Sequence, residues 1–294
     1  MIFSALANNG LEYDSAVGGK NFKVEKNMEA LRKKAVEVLE GKRADVIIGF
    51  ERSAGGRLRP LFVRSAAAAE KLVYEEECRQ NLAVYLYKPE VKKMGKPALV
   101  APVGTLRAVL QLAAEHQIAE NDLLILGIDE KNQLTEIGSL KEAEQAVAAR
   151  NLALNERDRQ LLDKISAMSL EERWQFWQEE LSRCFKCYAC RAACPMCYCS
   201  RCTVECNQPQ WIPAPAHALG NLEWHINRAM HLAGRCVSCG ACGEACPAGI
   251  PIHLLTIKVA EDVYAEFASR AGTGINNEYA LSSFKLDDKE SFIR

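Results

Sequence analysis

The chain is expected to fold as an α/β N-terminal domain with a partly parallel sheet, followed by a cysteine-rich α+β domain with helical insertions. Three observations lead there. Short apolar runs alternate with helical stretches over residues 1–150, the pattern of a sheet covered by helices. Twelve of the thirteen cysteines lie between Cys184 and Cys246. Within that stretch, C-F-K-C-Y-A-C-R-A-A-C-P (184–195) and C-V-S-C-G-A-C-G-E-A-C-P (236–247) share the spacing C-x2-C-x2-C-x3-C-P. The expected parts are the α/β domain at 1–150, a helical linker at 151–183, the cysteine domain at 184–270 and a C-terminal arm at 271–294.

In chain order, Met28, Leu31, Ala35, Val38 and Leu39 recur at helical spacing, and Gly41 ends that helix. Asp45–Phe50 reads as a buried strand. Gly55-Gly56 reads as a turn, and Leu61–Val63 as a second strand. Residues 66–87 read as helical, in one piece or two, with Cys78 a packing residue within them. Pro97–Pro102 and Leu123–Ile128 are further buried strands, joined by a helix that opens at Gly104-Thr105. The Pro102–Thr105 turn could offer backbone donors to an anion, although one glycine supports a plain connection better. Arg52, Arg57 and Arg59 around the glycine turn read as a solvated basic loop.

Residues Glu156–Ser182 read as helical, with Ser169 and Glu172 as a capping box. Trp174, Phe176 and Trp177 are expected to pack this linker against the cysteine domain. Gln208–Pro215 is irregular and proline-rich. A helix is expected from Ala216 to Ala233, with His217, Trp224, His225 and His231 as ordinary helical residues. An amphipathic helix is expected over Pro251–Ser269. In the arm, Tyr279–Phe284 is apolar enough to dock on a partner.

The cysteine spacing is the signature of iron–sulfur ligation. Three cysteines two residues apart let a tight loop wrap one cluster. The fourth falls beyond the loop, and in two-cluster ferredoxins it ligates the other cluster, so the cysteine domain is expected to be a ferredoxin-like (α+β) dicluster 4Fe–4S domain. This predicts one 4Fe–4S cluster on Cys184, Cys187, Cys190 and Cys246, and a second on Cys236, Cys239, Cys242 and Cys194. Pro195 and Pro247 fix the turn after each crossing ligand, and Gly240 and Gly243 let the second loop bend. A zinc site uses two C-x2-C pairs instead, and disulfide frameworks belong to small secreted chains. Cys197, Cys199, Cys202 and Cys206 follow the first run at once. They could hold a third 4Fe–4S cluster or another metal, or pack beside the other clusters as small apolar groups.

Composition sets bounds. A net charge of −1 gives no basic excess for nucleic acid. No run reaches the length of a membrane span. The N-terminus is briefly apolar without a charged leader, so a cytoplasmic location is expected.

The two cysteine runs, with C-P-M-C-Y-C-S-R-C (194–202) after the first, resemble the beta-subunit family of deazaflavin-coenzyme-reducing hydrogenases and formate dehydrogenases. D-V-I-I-G-F (45–50) and the strand–turn–helix at 97–117 fit it more loosely. The resemblance implies an iron–sulfur electron-transfer subunit of a cytoplasmic oxidoreductase complex. Its partners would be hydrogenase, formate-dehydrogenase or heterodisulfide-reductase-like subunits, and it would carry no substrate chemistry of its own. Some members hold FAD and reduce a nicotinamide or deazaflavin coenzyme. Relatives often carry a cysteine in the turn that here reads Pro102–Thr105, and no G-x-G-x-x-G is present. The alternatives are a flavin-bearing reductase subunit and a structural adaptor whose clusters do not turn over.

Overall fold

A computed structural model describes residues 16–150, 154–206 and 208–276. The apolar N-terminus and the docking segment expected at 279–284 lie outside the described residues. Five strands form one sheet in the order β2-β1-β3-β4-β5. They are β1 (Val46–Arg52), β2 (Leu58–Val63), β3 (Pro97–Ala101), β4 (Leu124–Ile128) and β5 (Leu134–Ile137). β1, β3 and β4 are parallel, with Ile47 opposite Ala98 and Leu99 opposite Ile125. Antiparallel strands close both edges, Ile48 facing Phe62 and Leu126 facing Glu136. The expected partly parallel sheet is therefore present. Its parallel strands read as unbroken apolar runs because both faces are covered.

The helices of this half are α1 (Ala16–Glu40), α2 (Ala66–Ala69), α3 (Pro89–Lys92), α4 (Val103–Ala114) and α5 (Leu140–Ala148). α1 starts earlier than expected and ends just before Gly41. Residues 66–87 depart from the expected helix. α2 is a single turn, after which the Val73 N–H donates to the Phe50 carbonyl at 2.9 Å, so pairing with the sheet overrides the propensity of the alanine run. Cys78 lies in this irregular segment, buried in the core, where burial pushes its thiol up to about 11. β5 and α5 were not expected. Four residues of L-T-E-I are too short to show a period, and α5 is announced chiefly by its cap, Ser139, which accepts from the Glu142 N–H.

α4 is buried on every side from Thr105 to Ala114, because the sheet covers one face and the cysteine domain another. Its polar residues Arg107 and Gln111 stand one turn apart. Arg107 donates to the Ala271 carbonyl at 2.7 Å, and Gln111 accepts from the Gly272 N–H at 2.8 Å. Gly272 is required there, since its φ is +69° and a Cβ would fall 2.3 Å from the Arg107 carbonyl oxygen.

The second half contains α6 (Glu156–Ala167), α7 (Leu170–Ser182), α8 (Ala189–Ala192), α9 (Ala218–His231), α10 (Ala241–Glu244) and α11 (Ile252–Phe267). The helical stretch expected over 156–182 is present as two helices that break at Met168, and the second starts at the expected capping box of Ser169 and Glu172. Trp177 is buried and meets Phe176 edge-on at 5.2 Å, whereas Trp174 is half exposed. Among the described residues no strand follows Ile137, so the α+β layout expected of a ferredoxin-like domain is corrected to helices and loops. The segments that flank the cysteine runs carry a helical period and form α7, α9 and α11.

Two hydrophobic cores result. One joins the sheet to Met196, Leu232 and Val237, with Cys194, Cys236 and Cys239 packed on it. The other lies among α6, α7, α9 and α11, and includes Cys190 and Cys242 with Cys184 and Cys246 at its edge. No described helix is long and apolar enough to cross a membrane.

Candidate metal centre

The two cysteine runs adopt the same backbone. The residue two after the first cysteine has a left-handed φ in each, +54° at Lys186 and +59° at Ser238. The residue four after it does too, +59° at Tyr188 and +75° at Gly240. A single helical turn follows each time, α8 and α10, and these two turns pack on each other. Matching hydrogen bonds close the loops, from the Cys194 N–H to Arg191 O at 3.2 Å and from the Cys246 N–H to Gly243 O at 3.0 Å. Three of the four left-handed residues are not glycine, each costing about 1–2 kcal/mol. Strain repeated at equivalent positions marks a functional constraint. Alternating hand along a loop also turns successive N–H groups inward, the arrangement that cradles anions and iron–sulfur clusters.

Helices hold both loops in place. Asn221 on α9 donates to the carbonyls of Leu181 at 3.1 Å and Cys184 at 2.6 Å. The Cys236 N–H caps the end of α9 on Leu232 O at 2.8 Å. Gly240 bends the second loop as expected. Gly243 has another role, since a Cβ there would lie 2.0 Å from His253 Nδ1. That close approach seats His253, whose Nε2 lies 3.0 Å from Asp158 Oδ2.

The cysteines sort crosswise between the runs. Cys246 packs on the same core as Cys184 and Cys190, while Cys194 packs on the core that also takes Cys236 and Cys239. Cys236, Cys239 and Cys242 are mutual neighbours, and Cys190 feels both Cys184 and Cys242. Burial and this crowding push the Cys236 thiol up to about 11 and the Cys190 thiol up to about 12. Buried thiols crowded this way ionise together only around a positive centre, which inverts the local preference. Among the described residues no three His, Cys, Asp or Glu side chains converge on one point as a single ion requires. Zinc would need four ligands within about 2.3 Å of one centre.

The surroundings fit a bound anion rich in sulfur. Arg107 Nε and Arg228 Nε are buried without a protein partner. Cys236 and Cys239 lie beside Arg107, and Cys190, Cys194, Cys197 and Cys242 beside Arg228. Buried donors left over next to thiols are what a thiolate-bound cluster would satisfy.

The four intervening cysteines are not gathered in the same way. Cys194 and Arg228 beside it lower the Cys197 thiol, which so joins the first run. Cys202 is half-buried near Cys197, whereas Cys199 and Cys206 are exposed. Of the histidines, His217 caps α9, accepting from the Gly220 N–H at 3.3 Å, and His231 is exposed. His225 is buried against Trp224, with ring centroids 4.8 Å apart.

The Pro102–Thr105 turn lies at the carboxyl end of β3, where ligand crevices open in α/β sheets. A cavity of about 210 Å³ there is lined by Asn81, Gly104 and Thr105 on one side and Cys239, Gly240 and His253 on the other. Part of the turn is already engaged, since Asn81 Nδ2 donates to Gly104 O at 3.1 Å. Of the basic loop, Arg52 pairs with Glu75 and Arg59 with Glu51, as a solvated loop would.

Arg107, Arg228, and the cluster of Glu115, Tyr198 and Arg235 were not anticipated from the sequence. One signal was present for Arg228. Asn221, His225 and Arg228 form a polar row at helical spacing between the buried Leu222, Trp224 and Ala229.

Two comparisons bear on these residues. A family model described as a 4Fe-4S dicluster domain matches residues 196–251. That span takes in the second run and the four intervening cysteines, and begins just after the first run. The beta subunit of F420-dependent formate dehydrogenase from Methanocaldococcus jannaschii is 33% identical over 107 residues. The match covers 34% of this chain and 27% of that relative, so the chain spans about a quarter of the relative's length. Both matches are partial, and each shows only what part of this chain is similar to. Neither description names FAD, which these matches do not support.

Proposed function

We propose that this chain is an iron–sulfur electron-transfer subunit of a multi-subunit oxidoreductase related to formate dehydrogenase. The observation that carries the reading is the duplicated loop, two copies of one strained backbone brought together so that the last cysteine of each packs on the core that takes cysteines of the other. In this reading Cys184, Cys187, Cys190 and Cys246 hold one 4Fe–4S cluster. Cys236, Cys239, Cys242 and Cys194 hold the second, on the crosswise plan of two-cluster ferredoxins. When bound, such clusters supply one-electron carriage at potentials set by charge, hydrogen bonds and burial. The chain's own part is placement. The left-handed loops present N–H groups, the helical cores exclude water from Cys190 and Cys242, and buried arginines supply positive charge.

Subunits of the hydrogenase, formate-dehydrogenase or heterodisulfide-reductase-like kind are the partners in this proposal. Iron analysis and electron paramagnetic resonance on the anaerobically purified chain test it. About eight irons per chain are expected, falling by about half in Cys187→Ser and in Cys239→Ser. About twelve irons would assign Cys197, Cys199, Cys202 and Cys206 to a third cluster. Zinc in place of iron, or a loss of both signals from either single variant, would overturn the two-cluster assignment.

A further inference from the structure

Arg228 is 4% exposed on the inner face of α9. Its Nη2 donates to the Cys190 carbonyl at 3.1 Å, and its Nε has no partner in the protein. The thiols of Cys197 and Cys242 also lie close enough for its charge to act on them. One cation therefore stands among the first run, the second run and the segment between them. The charges nearest it are those of Cys242, Cys194, Cys197 and Cys190, and among the described residues Arg228 forms no salt bridge with a carboxylate. A buried guanidinium without a carboxylate is unfavourable unless another anion faces it. Arg107 makes the contrast, since it lies near Cys236 and Cys239 of the second run alone.

We propose that Arg228 is the shared counter-cation of the two clusters and sets the reduction potential of both. The inference rests on the reading that the two runs hold those clusters. A 4Fe–4S core on four thiolates is an anion, and reduction adds a further negative charge. A fixed positive charge beside it favours the reduced form and raises the potential. Arg228 itself neither gains nor loses a proton, because its guanidinium does not titrate in proteins. In the test each cluster takes up one electron from a low-potential chemical reductant, and no bond forms or breaks.

The experiment is a mediated redox titration of the full chain, followed by electron paramagnetic resonance, for wild type, Arg228→Lys and Arg228→Gln. Iron content is measured on each sample. Arg228→Gln is expected to disfavour reduction of both clusters by about tenfold, equal to about 59 mV for a one-electron step. The Lys variant keeps the charge but not the fork, and is expected to disfavour reduction of both clusters by about threefold, equal to about 28 mV. If Arg228→Gln does not fold, the Lys variant decides. Unmoved midpoints, or movement of one cluster alone, in iron-loaded protein would overturn the role of Arg228 and leave the cluster reading intact. A wild-type chain without iron would overturn the cluster reading instead.

Discussion

His225 is 3% exposed, and neither ring nitrogen has a partner in the protein. Burial depresses its pKa to about 3, helped by the positive charges of Lys186 and Arg228 nearby. The folded chain therefore holds the imidazole neutral, while the unfolded chain protonates it below about 6.5. The resulting stability is full above that pH and is lost as pH falls from there toward 3. At pH 5 the loss is about 2 kcal/mol. His225→Leu removes the titration and keeps an apolar side chain of similar size. Its urea midpoint is expected to fall less than that of wild type between pH 7 and pH 5. A parallel fall in both proteins would show that His225 is not the group responsible.

At the level of elements, α7 offers a local test. Ser169 Oγ accepts from the Glu172 N–H at 3.2 Å, and Glu172 Oε2 accepts from the Ser169 N–H at 2.8 Å. Ser169→Ala is expected to cost about 1 kcal/mol of unfolding free energy, and Ser169→Asp to recover most of it. A thermal melt reads both variants, and an unchanged midpoint in Ser169→Ala would refute the contribution. This box could be read from the sequence because capping depends on residues three apart. The parallel strands were legible for a similar reason, since apolar runs such as Asp45–Phe50 and Leu123–Ile128 have no other stable place than a covered sheet. The cysteine loops were legible because their chemistry is written in covalent spacing. What was lost depended on tertiary contact. Val73 pairs with Phe50 and interrupts a segment whose alanines favour helix, and β5 is held by β4 more than by its own pattern. Arg107 and Arg228 read as ordinary helix residues until the fold sets both beside the cysteines.

For the whole molecule, the decisive junction is where the end of α4 meets the cysteine domain. Glu115 accepts from Arg235 twice, at 2.8 Å and 2.6 Å, and from the Tyr198 hydroxyl at 2.6 Å. Arg235 immediately precedes Cys236, and Tyr198 lies between Cys197 and Cys199, so one carboxylate from the sheet half fixes both sides of the cysteine half. Burial alone would raise its pKa, but the donors of Arg235, Gln111 and Tyr198 outweigh burial and hold it below 4.5. Glu115→Gln keeps the shape and leaves Arg235 without its counter-charge, at an expected cost of about 2–4 kcal/mol. Tyr198→Phe loses one hydrogen bond and is expected to cost about 1 kcal/mol. The pH dependence separates the two variants. The contribution of Glu115 is present above the unfolded value near 4.5 and is lost as pH falls below it, because the unfolded chain takes up the proton first. Glu115→Gln should therefore show a shallower acid limb than wild type, and Tyr198→Phe should keep most of the wild-type slope. Because the same contacts brace the loops around Cys197 and Cys236, Glu115→Gln should also release iron faster to a chelator at neutral pH. Wild-type stability and iron retention in Glu115→Gln would show that the two halves are held together elsewhere.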